Sequence, residues 1–159
     1  MNALARAGSR SMRELILVLM TWIAAHTGLP VPDRPPEVVF TAHCEIQRLA
    51  FAGKRPCSET EGAVAAYDHR TRTIYLPRNW SQDNVYHVSM LLHELVHHMQ
   101  AEEGLHMGVP GICPGRDLEQ PAYSAQIAWL KEKGVEEPLA MMGMNALYLV
   151  MVTSCRHGN

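Results

Sequence analysis

The longest helical pattern in the chain runs from about Gln82 to Glu103, and it limits what the chain can fold into because its centre is largely apolar. The stretch "LLHELVHHMQ" (91–100) places leucine and valine at helical spacing, which gives the helix a face to bury against a core. Ser81 is the predicted N-cap, and Gly104 is the predicted residue after the last turn. We therefore expect other elements to pack around this helix.

The composition is that of an ordinary soluble globular protein: 159 residues, 47% hydrophobic and 19% charged. This length predicts a single domain over residues 1–159. The net charge of −2 gives no reason to expect a nucleic-acid or anionic-membrane partner. Nine histidines are present, and four of them lie between residues 87 and 98, so this enrichment needs a local cause.

The pattern of apolar residues outside this helix predicts an α+β fold with a small, mostly antiparallel sheet. Pro77 lacks an N–H, so the strand it ends is predicted to lie near an exposed sheet edge. The remaining predicted elements are a short buried strand (38–42), a helix (43–53), a β-hairpin with arms 63–68 and 73–77, a helix from near Asp117 to Gly134, and a Met-rich core helix from about Pro138 to Thr153.

The first 27 residues are predicted to contain a buried N-terminal helix. Ser11 and Glu14 have the spacing of a capping box, and the helix should stop at Thr27 and Gly28. A signal segment is the alternative, because the apolar run 14–25 has the right length, although Glu14 touches that run. The run is too short for a transmembrane segment, and we expect a cytoplasmic location rather than a periplasmic or secreted one.

Four cysteines are widely spaced and form no C-x-x-C pair, which argues against a zinc ribbon. We expect reduced packing residues, with up to two disulfides in an oxidising compartment as the alternative. The four are Cys44, Cys57, Cys113 and Cys155.

His93 and His97 are four residues apart, so on a helix both lie on one face and can bind the same zinc ion. Glu94 can instead hold a water beside the metal and take its proton, as in the H-E-x-x-H motif. His98 points about 100° away from His97 and is not expected to bind the metal. Gln100 lies near the metal face, where it either supports a ligand or is plain surface. The alternative for the whole motif is a surface helix whose histidines have hydrogen-bond partners and bind no metal.

A catalytic zinc site usually has three protein ligands and one open position, so a third ligand is needed. We predict that Glu119 is the third ligand, and His106 is the second candidate for that position. Asp117 is better explained as the N-cap of the next helix. Because Pro121 would break a helix interior, Glu119 must lie in the first turn. The candidates considered are Glu102, Glu103, His106, Asp117, Glu119 and His157.

The helix that begins near Glu119 has one face that includes Tyr123 and Gln126. Tyr123 is a candidate catalytic residue, because its phenol can hydrogen-bond an oxyanion or orient a ligand. The alternative is a half-buried core tyrosine with a polar tip. The full face consists of Glu119, Ala122, Tyr123, Gln126 and Leu130.

"HELVH", followed after 21 residues by "EQPAY", resembles the gluzincin branch of the zincin-like metallopeptidases, in particular minimal gluzincins and zincin-like domains of unknown function. The resemblance covers about residues 63–133, which would form the metal-site core. It implies a zincin-like fold with Zn²⁺ bound by His93, His97 and Glu119, and with Glu94 as general base.

The resemblance also implies a zinc-dependent hydrolase of peptide bonds with a peptide or protein substrate. That substrate would add as an extended strand along residues 73–76. A zinc-binding domain without peptidase activity, serving a binding or regulatory role, is the alternative, and a scaffold without metal is the third possibility.

Overall fold

The computed structural model describes residues 10–54, 56–57 and 64–155. Within these residues the chain forms a small α+β structure, which confirms the predicted class. The elements in chain order are α1 (Met12–Thr27), β1 (Glu37–Thr41), α2 (His43–Ala50), β2 (Ala66–Asp68), β3 (Thr73–Pro77), α3 (Val85–Glu102), a π-helical turn (Pro114–Glu119), α4 (Gln120–Glu132), α5 (Pro138–Met141) and α6 (Ala146–Thr153).

α1 is a buried helix with both predicted ends. The Ser11 hydroxyl accepts from the Glu14 N–H, and the Glu14 carboxylate accepts from the Ser11 N–H, so the capping box is confirmed. Gly28 follows the last turn with a left-handed φ of 80°, a conformation that glycine adopts without strain. None of the helices in the described residues combines the length and hydropathy that a membrane crossing requires.

The three-stranded sheet is mixed, in the order β1–β3–β2. The β2–β3 hairpin pairs antiparallel as predicted, although residue 63 of its first predicted arm lies outside the described residues. The β1–β3 pair is parallel, so the prediction of a mostly antiparallel sheet is wrong. The parallel pairing follows from the connection through α2, which lets the chain return to β3 in the direction of β1.

The prediction that the strand ending at Pro77 lies at a sheet edge is also wrong. β3 is the central strand, paired with β1 on one side and β2 on the other. A peptide therefore cannot add along residues 73–76, because both backbone edges of that strand are already paired. Pro77 is tolerated because it is the last residue of the strand.

β1 is the strand predicted to be buried, and the structure corrects this. Val39 and Phe40 are 42% and 46% exposed. The burial falls instead on the central strand, where Ile74 and Leu76 are fully buried. α2 ends at Ala50 rather than Gly53.

α3 begins three residues later than predicted. Asn84, and not Ser81, is the N-cap, because its side-chain oxygen accepts from the N–H groups of Tyr86 and His87. The Ser81 N–H bonds instead to His87 Nδ1, which holds residues 81–83 in a turn outside the helix.

The hydrophobic core is built around α3, as expected. α1, α4 and the sheet pack against it, and 12 of its 18 residues are buried. Trp22 on α1 donates to the Glu132 carboxylate on α4 at 2.8 Å, which joins the two helices that flank α3. The largest fully buried side chains on α3 are Leu91, Leu92, Leu95, Val96, His98 and Met99.

The C-terminal region differs most from expectation. The predicted single helix over 138–153 is two helices, α5 and α6, separated by a turn at Gly143 with a φ of 67°. No residue of α6 is buried, so the prediction of a core helix is wrong. The reason is that α6 packs on the π-helical turn at the periphery and not against α3.

All four cysteines are disulfide-bonded, so the prediction of reduced packing residues is wrong and the alternative of two disulfides is confirmed. Cys44 pairs with Cys57 and Cys113 pairs with Cys155. The second disulfide joins the residue before the π-helical turn to the residues that follow α6.

Candidate metal centre

His93 and His97 lie on one face of α3, as their spacing predicts. Their Nε2 atoms are 3.2 Å apart, and the rings meet nearly edge-on with an interplanar angle of 76°. His93 is 8% exposed and His97 is partly buried. Both imidazoles therefore present Nε2 to the same point near the surface of the core.

Glu119 brings a carboxylate to that point from a different element. It is the last residue of the π-helical turn, directly before α4. Its Oε2 lies 3.3 Å from His93 Nε2, and its Oε1 lies 3.4 Å from His97 Nε2. Pro121 falls in the first turn of α4, where proline is tolerated, but Glu119 lies one residue before that turn and not in it as predicted.

The spacing of these three donors can be compared with a zinc site. Zinc binds nitrogen and oxygen at about 2.0–2.2 Å, so two tetrahedral ligands lie roughly 3.3–3.5 Å apart. The Nε2–Nε2 and Nε2–carboxylate separations are 3.2, 3.3 and 3.4 Å. Two imidazoles and a carboxylate are a ligand set that zinc accepts in hydrolases, and they leave a fourth position open. The residues present therefore fit the metal.

Gln100 fixes the ring of His97. The Gln100 amide N–H donates to the Leu118 carbonyl at 3.1 Å, and a carbonyl can only accept, so the orientation of this amide is determined. Its oxygen then faces His97 Nδ1 at 2.9 Å, and Nδ1 must carry the proton. Gln100 is 2% exposed and contacts His97, so the alternative that it is plain polar surface is wrong.

Gln126 fixes the ring of His93 in the same way, through a longer chain of hydrogen bonds. The Ser89 hydroxyl donates to the Tyr86 carbonyl at 2.7 Å, so it accepts from the Gln126 amide N–H at 3.0 Å. The Gln126 oxygen therefore faces His93 Nδ1 at 3.0 Å and accepts its proton. The sequence placed Gln126 on the face of Glu119 but did not assign it this contact; its position seven residues after Glu119 was the available signal.

Both hydrogen-bond chains have the same chemical consequence. With Nδ1 protonated on each neutral ring, each Nε2 presents a lone pair, which is the form that binds a metal. The lone pairs of His93 and His97 and the Glu119 carboxylate converge without a protein N–H between them. A cation at their centre satisfies all three.

Without a metal, the charges at the site favour a proton on His97 in the place that a cation would take. Burial opposes ionisation of His97, but the Glu119 carboxylate outweighs it and raises the pKa of His97 to about 9. Burial would raise the pKa of Glu119, but His97 and His93 hold it well below its usual range. In the metal-free site the Glu119 anion therefore pairs with a protonated His97, and metal binding has to displace that proton.

Glu94 is 8% exposed and follows His93 on α3. Burial raises its pKa, and His93 and His97 oppose that shift. Within the described residues, no hydrogen bond or ion pair is assigned to this carboxylate.

Tyr123 lies one turn after Glu119, and its ring meets the His93 ring edge-to-face at a centroid distance of 4.5 Å. Burial and the Glu119 carboxylate raise the pKa of its phenol, so it remains protonated and able to donate. The structure thus places Tyr123 beside the first histidine.

The other candidate ligands have different partners. His106 stacks on His69 at 4.1 Å and donates from Nδ1 to the Met107 carbonyl, so it lies apart from His93. Glu102 pairs with Arg72 at 2.6 Å. Glu103 is the exposed C-cap residue of α3, and His157 lies outside the described residues.

Asp117 and His98 have structural roles. Asp117 was predicted to be the N-cap of the next helix, but it lies inside the π-helical turn, where it accepts from the Cys113 N–H at 2.8 Å. That prediction is wrong, because α4 starts at Gln120. His98 donates from Nε2 to the Arg34 carbonyl and receives the Tyr67 hydroxyl at Nδ1, which agrees with its predicted exclusion from the metal.

A family model described as a domain of unknown function, DUF6647, matches residues 8–159. Because the match spans nearly the whole chain, the protein belongs to this family. No curated protein and no solved structure matches the chain.

Proposed function

We propose that this protein is a zinc-dependent hydrolase of peptide bonds with a zincin-like fold of the gluzincin branch. His93, His97 and Glu119 would hold the ion. The observation that carries the proposal is the convergence of these side chains: the two Nε2 atoms lie 3.2 Å apart, one Glu119 oxygen lies 3.3 Å from His93 Nε2, and the other lies 3.4 Å from His97 Nε2. Such separations are close to the edges of a tetrahedral zinc site. A zinc ion bound there would polarise the scissile carbonyl and supply an acidified water.

The roles of the chain's own residues follow from their positions. Glu94 takes a proton from the attacking water and passes it to the leaving amine, because its carboxylate is buried and has no assigned partner in the described part of the chain. Tyr123 donates from its phenol to the oxygen that becomes negative during attack. Gln100 and Gln126 keep the two imidazoles in the tautomer and orientation that bind the ion.

A zinc-binding domain without peptidase activity is the second candidate, and one observation favours it. Two cavities of about 340 and 370 Å³ lie on the described residues, and neither is lined by His93, His97 or Glu119. Enzymes usually bind their substrates in concave pockets. The substrate of a hydrolase would here have to bind across a shallower surface.

We also propose an oxidising compartment in place of the expected cytoplasmic location. Both disulfides join residues that are distant in sequence, with separations of 13 and 42 residues. Stable structural disulfides form and persist in oxidising environments.

The test combines metal analysis with a single substitution. We expect purified full-length protein to bind one zinc per chain and to hydrolyse members of a peptide library. Glu94→Gln should keep the zinc but lower the rate by about 10²–10⁴-fold, because it removes the base but no ligand. Glu103→Gln, an exposed carboxylate at the end of the same helix, is the matched control and should leave the rate unchanged.

The outcomes separate the candidates. Zinc binding without hydrolysis by the unaltered protein would favour the second candidate. Absence of zinc after reconstitution would exclude both.

A further inference from the structure

The Ser89 hydroxyl lies on α3, one turn before His93, and Ser89 is fully buried. It donates to the Tyr86 carbonyl at 2.7 Å and accepts from the Gln126 amide N–H at 3.0 Å. Gln126 is 4% exposed, so its amide has little access to solvent and depends on protein partners. Its second partner is His93, whose Nδ1 lies 3.0 Å from the amide oxygen. Ser89 is therefore two hydrogen bonds away from a candidate metal ligand.

A chain of hydrogen bonds from a serine through a glutamine to a histidine can run in either of two directions, because a hydroxyl, a carboxamide and a neutral imidazole can each donate and accept. In the reversed chain, Ser89 would donate to the Gln126 oxygen, and the Gln126 N–H would donate to His93 Nδ1. The single proton of His93 would then lie on Nε2, which is 3.3 Å from Glu119 Oε2. A protonated Nε2 has no lone pair for a metal.

The Tyr86 carbonyl selects the direction, because a backbone carbonyl can only accept. It fixes the hydrogen of the Ser89 hydroxyl, so that Ser89 can only accept from Gln126. The amide oxygen then faces His93. Within the described residues, no other hydrogen bond of the Gln126 side chain is assigned. The orientation of this amide therefore depends on one serine hydroxyl.

The second imidazole of the metal centre is held differently. Gln100, which accepts from His97 Nδ1, bonds directly to the Leu118 carbonyl at 3.1 Å. A backbone carbonyl cannot reverse its role, so no hydroxyl is needed there. The two rings thus differ: loss of the Ser89 hydroxyl affects the chain that ends at His93 and leaves the chain that ends at His97 in place.

We propose that Ser89 is a positioning residue of the metal centre, which keeps the proton of a neutral His93 on Nδ1 and so leaves Nε2 free to bind the metal. It acts through Gln126 and does not touch the ion. Without the hydroxyl, one polar group of the buried Gln126 amide lacks a partner in either orientation, and nothing favours the orientation that binds metal. This inference rests on the proposed zinc site and adds a buried residue that determines its zinc affinity.

The first test is a double-variant cycle in the full-length protein, with zinc affinity measured by competition with a fluorescent chelator. Ser89→Ala should weaken zinc binding about tenfold, the lower end of the range for residues that orient a metal ligand. In a Gln126→Ala background the same substitution should have no further effect, because the residue through which Ser89 acts is gone. A merely structural role of Ser89 would give additive losses.

The second test locates the proton directly, by nitrogen-15 NMR of the histidine rings in the zinc-free protein at alkaline pH. In the unaltered protein, His93 Nδ1 should give the signal of a protonated ring nitrogen. In Ser89→Ala this signal should move toward that of an unprotonated nitrogen, while the His97 Nδ1 signal should stay unchanged. A general loss of packing would not move one ring selectively.

Thr21→Val is the matched control. The Thr21 hydroxyl also donates to a carbonyl of its own helix, at 2.8 Å from Leu17 O, but it belongs to α1. Its removal should change neither zinc affinity nor the His93 signal. The inference would be overturned by an unchanged zinc affinity in Ser89→Ala, by additive losses in the double variant, or by an unmoved His93 Nδ1 signal.

The failure of this inference is distinguishable from the failure of the proposed hydrolase. A His93 signal and a zinc affinity that both depend on Ser89, in a protein that cleaves no peptide, would support the positioning role and refute the hydrolase. Hydrolysis by the unaltered protein, with an unmoved His93 signal in Ser89→Ala, would do the reverse. Absence of zinc binding by the unaltered protein would refute both.

Discussion

α3 and α6 are both rich in apolar residues, yet 12 of the 18 residues of α3 are buried and none of the 8 residues of α6 is. α3 packs against several elements, namely α1, α4 and the sheet. α6 packs on the π-helical turn and exposes the rest of its surface. Apolar composition alone therefore does not decide which helix becomes the core; the number of elements that surround a helix decides it.

The two helices also differ in where their polar and apolar side chains lie. α3 carries His93, Glu94 and Gln100 into its buried surface, and the imidazoles and amide there have hydrogen-bond partners. α6 carries no charge and leaves its apolar side chains in solvent. Proteins usually bury apolar side chains and expose polar ones. Here α3 buries a polar site, and α6 exposes an apolar surface.

The largest expected effect lies in α3. Leu95 on α3 is fully buried in the core, so Leu95→Ala should lower the free energy of unfolding by about 2–5 kcal/mol through lost burial and a residual cavity. Urea denaturation of the zinc-free protein measures this loss without a contribution from the metal. A change below 1 kcal/mol would mean that α3 is not the centre of the core.

Removal of either disulfide should lower the stability of the protein, but only one of the two removals should also weaken zinc binding. Replacing both cysteines of a pair by serine should cost about 4 kcal/mol for Cys113–Cys155 and about 3 kcal/mol for Cys44–Cys57, because the first closes the longer loop. Only loss of Cys113–Cys155 should also weaken zinc binding, since that disulfide holds the turn that positions Glu119. Thermal unfolding and zinc titration measure the two effects, and equal weakening of zinc binding by both variants would contradict this account.

The amides that hold the imidazoles give the next effect. Gln126→Ala and Gln100→Ala should each lower zinc affinity by about 10–100-fold, because each ring loses the acceptor that fixes its tautomer. Competition with a fluorescent zinc chelator measures the affinity. The control is Gln120→Ala, an exposed glutamine next to Glu119, which should change nothing. An unchanged affinity in both test variants would show that the rings are held by packing alone.

The features that follow from local periodicity were predictable from the sequence. Helical spacing places His93 and His97 on one face, and the Ser11–Glu14 spacing gives the capping box of α1. Pro121 lies in the first turn of α4, as the exclusion of proline from an α-helix interior predicts, although Glu119 ends the π-helical turn before it. Each of these depends on residues within about one turn of each other.

The features that depend on distant contacts were not predictable. The central place of β3 depends on which strands pair with it, and Pro77 gave a false signal of an edge because it ends the strand. The π-helical turn that aims Glu119 is stabilised by the Asp117 carboxylate on the Cys113 N–H, and such irregular turns have no periodic signature. Apolar content suggested burial for α6, but no element covers its exposed side in the described part of the chain.

The smallest expected effect completes the contrast between the two helices. Val150 is 59% exposed on α6, so Val150→Ala removes little buried surface and should change the free energy of unfolding by no more than about 0.5 kcal/mol. The same urea denaturation that detects the loss in Leu95→Ala measures it, repeated over a series of protein concentrations. A loss above 1 kcal/mol that grows with protein concentration would mean that a second copy of the chain covers α6 in solution. A similar loss independent of concentration would mean that α6 is buried within the chain, and the distinction between a covered α3 and an open α6 would no longer hold.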